Sequence, residues 1–304
     1  MKMWFRPVKG IAFCIVAAFF GGQAMAQVQA KRSFPSAKRI SAFDNTTFCT
    51  AFLSDGSLLT IRDIPIVDLR DVDKIAFNPT GSSLALMRGK KPVSIYSFRD
   101  RNKKLFELKE QRKSKELKGR KNLNFFVPGP VGAELMKDAS KGDIVPVAMC
   151  YGADARNFLV SNSLGEIIVY DTKAYLPQAY IQGKAVATAI TMSPNNYFIA
   201  AGTGKNIDIW NFQTKELRTS LPMPAEVTEL VFSADASQMA VVTADKRLTI
   251  FDTKTWDKVD IFDKIGGTLT SPSFHPDGKY ISVVKDGNAI VIMNLKNSVP
   301  EQTL

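Results

Sequence analysis

Histidine is almost absent: His275 is the only one in 304 residues. Histidine metal clusters are thereby excluded, and a Ser–His nucleophile pair would have to use this one residue. His275 stands beside Pro276 in a turn-like stretch, where histidine is an ordinary first turn residue, so a structural role is expected. Cysteine is scarce too, with three in all. No Cys-x-x-Cys pair exists, and no cysteine cluster stands in for the missing histidines. Gly-x-Ser-x-Gly and Gly-x-x-x-x-Gly-Lys-Ser/Thr are both missing. Gly202-Thr203-Gly204-Lys205 is glycine-rich and basic, but it lies between two strand-like runs rather than opening a helix. It therefore reads as a hairpin turn and not as a phosphate loop. Amphipathic helical patterns of useful length are lacking. Beyond the N-terminus, no apolar run approaches the roughly 20 residues of a bilayer span. This inventory predicts no cofactor, no metal and no catalytic site.

What the chain has instead is repetition. Turns read Asn78-Pro79-Thr80-Gly81, Gly152-Ala153-Asp154-Ala155, Ser193-Pro194-Asn195-Asn196, Ser233-Ala234-Asp235-Ala236 and His275-Pro276-Asp277-Gly278. Strand ends read Tyr96-Ser97, Tyr170-Asp171, Trp210-Asn211, Phe251-Asp252 and Met293-Asn294. From Tyr170 the strand ends recur after 40, 41 and 42 residues, and the turns recur after 41, 40 and 42. Two independent markers holding one period make chance a poor account. A period of about 40–45 residues with several short strands per unit marks a β-propeller blade.

The best-preserved unit is 227–262. Its predicted strands are Thr228–Phe232, Gln238–Thr243, Arg247–Asp252 and Trp256–Phe262, rich in Val, Ile, Phe and Thr and bounded by turn residues. Gln238–Thr243, Tyr197–Ala201 and Tyr280–Val284 are nearly all apolar rather than alternating, as strands buried on both faces should be. A blade packed between two neighbours meets that condition.

The pattern of turn, apolar strand, turn and (Ile/Leu)-x-Ile-aromatic-(Asp/Asn) resembles the WD40-repeat propeller family over roughly residues 40–300. Thr203–Phe212, with Trp210-Asn211, and Thr243–Thr253, with Phe251-Asp252, match best. Asp245 stands seven residues before Asp252, where that family has a turn-capping aspartate. The Gly-His dipeptide that usually opens each repeat is missing throughout. The resemblance implies a protein-binding scaffold of a divergent bacterial type. The expected fold is all-β, a propeller of four-stranded antiparallel blades. Residues 40–63 and units beginning at Asp73, Ile144, Thr188, Val227 and Leu269 make six blades, with seven as the alternative if a degenerate blade hides in the long gap before Tyr170.

Lys2, Arg6 and Lys9, the apolar run Gly10–Phe20 and Ala24-Met25-Ala26 before Gln27 describe a secretory signal peptide cleaved after Ala26. The competing reading is an uncleaved N-terminal anchor. The expected location is periplasmic or secreted. Residues 27–39 read as a flexible arm, and 40–304 as the propeller, carrying a basic insertion at about 99–143. Cys49 and Cys150 fall in different units and are expected to be buried free thiols.

The formal charge of +11 is concentrated. Arg99, Arg101, Lys103, Lys104, Lys109, Arg112, Lys113, Lys115, Lys118, Arg120 and Lys121 crowd into 99–121 against four acids. Such a run attracts anionic partners over the screening length of about 8–10 Å, or is simply a solvated loop. Leu105 and Phe106 could insert beside it. The expected function is a non-catalytic protein-interaction platform whose partner is a protein of unknown identity. One alternative is an envelope-binding module for anionic lipid or glycan through the basic residues; nucleic acid is disfavoured for an exported chain. The other is a periplasmic propeller hydrolase or lactonase using Glu226 and Glu229, which are the acids in or near the expected innermost strands.

Overall fold

The computed structural model describes residues 29–31, 49–52, 58–61, 72–79, 82–97, 104–108, 144–287, 289–297 and 299–303. Among them lie five four-stranded antiparallel sheets, each a meander of four strands consecutive in the chain. The first blade is β4 (Lys74–Phe77), β5 (Ser83–Met87), β6 (Val93–Ser97) and β7 (Lys104–Leu108). The second is β8 (Pro146–Tyr151), β9 (Asn157–Asn162), β10 (Glu166–Asp171) and β11 (Pro177–Gln182). The third is β12 (Ala189–Met192), β13 (Phe198–Gly202), β14 (Asn206–Asn211) and β15 (Leu217–Pro222). The fourth is β16 (Val227–Phe232), β17 (Gln238–Thr243), β18 (Arg247–Asp252) and β19 (Lys258–Phe262). The fifth is β20 (Leu269–Phe274), β21 (Tyr280–Lys285), β22 (Ala289–Asn294) and β23 (Val299–Thr303).

The core is divided rather than central. One apolar cluster joins the first blade to the second, through Ala85, Ile95, Met149 and Phe158 among others. Three more join the second to the third, the third to the fourth and the fourth to the fifth. Strand alternation explains this: Ile207 and Ile209 of β14 face the fourth blade, while Trp210 faces the second. With apolar neighbours on both sides, β17 is buried along nearly its whole length, which is why its sequence does not alternate. First strands of successive blades meet in the series β4, β8, β12, β16, β20, as spokes around a common axis require.

The blade number differs from expectation: five four-stranded blades are present, not six or seven. Residues 40–63, expected as a first blade, supply only β2 (Cys49–Phe52) and β3 (Leu58–Ile61); with β1 (Gln29–Lys31) they form a three-stranded sheet in the order β1-β3-β2. β2 lies against β20 and β21, as β20 lies against β16 and β17, so this sheet takes the place beside the fifth blade. The period between Phe52 and Tyr96 sets the spacing of units, not the strands each contributes, and a partial unit keeps the same spacing. No seventh blade appears among the described residues, and Leu123–Val127, the strand-like run that suggested one, lies outside them.

The chain's end also resolves. Val299–Thr303 pairs with β22 and completes its own blade. The hairpin foreseen between 94–99 and 105–109 is present as β6 and β7, with Ile95 opposite Phe106. Lys104–Leu108, inside the stretch expected to be inserted, is thus the outer strand of the first blade.

Candidate functional site

A four-stranded meander sends its first and third turns to one end and its second turn, with the exit to the next blade, to the other. The ring therefore has two rims. On the first, turns between strands one and two close with a backbone bond from the fourth residue to the first: Ala155 to Gly152, Asn196 to Ser193, Ala236 to Ser233 and Gly278 to His275, at 2.9–3.0 Å. The donor residue is left-handed each time, with φ of 57°, 59°, 60° and 70°. The third position carries the cap. Asp154, Asn195, Asp235 and Asp277 each accept the backbone N–H two residues on.

The aromatic-Asp/Asn pair has a divided task. Trp210 and Phe251 enter the core. The following Asp171, Asn211 and Asp252 accept N–H bonds from the two residues that begin the third turn, at 2.7–3.1 Å. The Ala174 N–H leads in lowering the Asp171 carboxyl below its ordinary value; the Thr255 N–H does so for Asp252. Burial opposes ionisation of Asp235, but bonds from Ser233 and Ser237 outweigh it and lower that carboxyl too. Asp245 caps the second turn of its blade, accepting the Thr243 hydroxyl at 2.6 Å and pairing with Arg247 at 3.4 Å.

His275 is held within its turn: Nδ1 lies 2.7 Å from the Asp277 carboxylate, and the ring stands edge-on to Tyr280. Gly202–Lys205 is the hairpin turn between β13 and β14. Cys150 is buried and free. The Cys49 side chain is not among those described.

Glu229 is buried on β16, and its Oε2 accepts the Ser271 N–H of the next blade at 2.8 Å. Glu226 lies exposed in the connection before that strand. The structure does not bring them together as a pair, and no group of three or more His, Cys, Asp or Glu is placed to hold a metal among the described residues. Other polar side chains near the axis also tie blades together. Ser161 donates to the Ala187 carbonyl at 2.7 Å, and Thr188 to the Val227 carbonyl at 3.2 Å.

Of the basic run, only Lys104 is described; it is exposed on β7 and pairs with Glu107 at 2.9 Å. Arg99, Arg101, Lys103, Lys109, Arg112, Lys113, Lys115, Lys118, Arg120 and Lys121 lie outside the described residues. The topology still separates them. Arg99, Arg101 and Lys103 belong to a third turn, on the first rim. The segment holding the other seven leaves from Leu108 and returns at Pro146, both at the second rim. Leu105 and Phe106 are about 40% exposed, and the Phe106 ring touches Tyr175 of the next blade at 5.1 Å between centroids.

Sequence reasoning missed the second rim itself. Lys90, Lys91, Lys184, Lys205, Lys246 and Lys264 are exposed there, one or two to a turn or connection. Lys74 reaches from the first blade to the Thr188 carbonyl of the third, past the second, at 2.6 Å. The signal was available as lysines recurring in the turns after the all-apolar strands; their dispersal through the chain hid it beside the dense run at 99–121.

Blades stacked face to face, aromatic-Asp/Asn strand ends and capped turns make this chain a WD40-like β-propeller. No protein-family model matches it. Among curated proteins it is similar to the periodic tryptophan protein 2 homolog of Dictyostelium discoideum, with 29% identity over 132 residues. That match covers 36% of this chain and 14% of the relative. The chain thus matches only a small part of the relative's length.

Proposed function

We propose that this chain is a non-catalytic protein-interaction platform working in the periplasm or outside the cell. The observation that carries the reading is the division of polar groups. Buried ones near the axis, Glu229, Ser161 and Thr188, are engaged in bonds between blades or to their connections. Exposed ones sit on two rims of turns held by backbone bonds. A rigid scaffold with varied loops at its ends is suited to recognising another protein, because little ordering entropy is lost on docking. Export rests on the basic start, the short apolar run and the Ala-x-Ala exit of the N-terminus.

The test is affinity capture from the cell envelope with the tagged mature chain, followed by capture with rim substitutions. One partner protein should be retained in the wild type and lost when exposed side chains of one rim are changed. Retention indifferent to both rims would refute the reading.

A second reading, envelope binding through anionic lipid or glycan, is favoured by Leu105 and Phe106 standing exposed beside Lys104. Deleting 99–121 would also remove β7, so the test replaces Lys109, Arg112, Lys113, Lys115, Lys118, Arg120 and Lys121 with Gln. Salt-sensitive binding to phosphatidylglycerol vesicles should then vanish; unchanged binding would refute it.

A further inference from the structure

The two rims differ in charge. On the first, Lys173, Lys254 and Lys279 stand among Asp154, Asp171, Asp235, Asp252, Asp257 and Asp277, and signs mix. On the second, the six exposed lysines 90, 91, 184, 205, 246 and 264 have no ion pair among the described residues. Its carboxylates are fewer, and several are engaged. Asp73 accepts the Gly89 N–H, Asp245 is held by Thr243 and Arg247, and Asp286 accepts the Thr268 N–H at 2.8 Å.

The backbone under these lysines is firm. Lys205 O accepts from Met223 N, Gly204 O from Val227 N, and Glu226 O from Ala244 N, each at 2.8 Å. Second turns are thus laced to the adjacent connections between blades. Lys74 adds an ammonium group on the inner side, where the first and third blades approach.

Resting on the platform reading, we infer that this second rim docks an acidic, extended segment of a partner protein, with carboxylates meeting Lys90, Lys91, Lys205 and Lys246. Charge complementarity selects that occupant. A membrane would call for apolar side chains to insert, yet the exposed large apolar residues among those described, Leu105, Phe106, Leu176, Tyr197, Val259 and Ile261, all lie on outer strands or the first rim. Single-stranded nucleic acid would call for exposed aromatic platforms, and the same distribution leaves this rim without them among the described residues.

The test is fluorescence-anisotropy titration of a labelled oligo-glutamate peptide at ~20 mM and ~300 mM salt, where the screening length falls about fourfold. Three chains are compared: the mature wild type, a second-rim variant with Lys90→Glu, Lys205→Glu and Lys246→Glu, and a first-rim control with Lys173→Glu, Lys254→Glu and Lys279→Glu. Circular dichroism and Tm check that both variants fold. Binding at low salt should weaken roughly tenfold or more in the second-rim variant and less than about threefold in the control. Equal losses in the two variants, or no binding by the wild type at low salt, overturn the inference. So does equally lysine-dependent binding of phosphatidylglycerol vesicles, which would assign the rim to lipid. A captured envelope partner that depends on the first rim alone would overturn this inference while leaving the platform reading standing.

Discussion

Gly202 is the sharpest probe of blade stacking. It ends β13 with φ outside the left-handed region, so an alanine there meets no backbone strain. A Cβ at this position would stand 2.6 Å from Val227 Cγ1 and 2.9 Å from Val227 Cβ, on the first strand of the following blade. Carbon atoms prefer about 3.5–4.0 Å, so one blade must move by roughly 1 Å against its neighbour. Val227 is buried at 1% exposure and cannot swing into solvent. Overpacking of this kind costs about 1–3 kcal/mol. Val227→Ala removes the obstructing methyls and leaves a small void, costing about 1–3 kcal/mol alone. In the double variant the new methyl enters that void. The two changes should therefore couple favourably by about 1–2 kcal/mol, measured as a double-mutant cycle by urea unfolding at constant m. A neutral Gly202→Ala, or costs adding within about 0.5 kcal/mol, would refute the face-to-face packing of the third and fourth blades.

Other consequences follow from the turns and the interblade contacts. Asp171, Asp235 and Asp252 have carboxyls lowered by hydrogen bonding, so the stability they contribute is present above the unfolded value near ~3.9 and is lost as pH falls through the folded values. Asn211 and Asn294 cap the equivalent turns without titrating; a chain with Asp171→Asn and Asp252→Asn should lose less stability on acidification from pH ~5 to ~3 than the wild type, read by urea midpoints. Trp256 is buried and stands edge-on to Phe198 of the preceding blade at 5.2 Å, so Trp256→Ala should destabilise by about 3–5 kcal/mol; a loss under ~1 kcal/mol would contradict that packing. Gly278 is left-handed at φ 70° with open space around its Cβ position, so Gly278→Ala should cost about 1 kcal/mol through the backbone alone. Calorimetric titration with calcium should give no heat that depends on Glu226 and Glu229; a signal abolished by Glu226→Gln with Glu229→Gln would revive the hydrolase reading.

Much of the blade could be read from residue order because each meander is local. Gln238–Thr243 and Arg247–Asp252 match β17 and β18 end to end, since turn residues bound them and apolar residues fill them. The aromatic-Asp/Asn pairs marked the third turns for the same reason: the cap is made by a neighbour two or three residues away. The candidate interaction surface was far less legible. The run at 99–121 drew attention because its charges are contiguous, yet the second rim is assembled from single lysines separated by tens of residues.

Residue order alone determined the period, the strands within each unit and the burial of the inner strands on both faces, because these depend on contacts a few residues apart. Tertiary structure decided how many complete blades the chain forms, that Gln29–Lys31 joins β3 beside the fifth blade, and that dispersed lysines share one rim. Those outcomes depend on which sheets meet around the axis. Such pairings are set by shape and apolar surface across distant segments, to which no local pattern of residues corresponds.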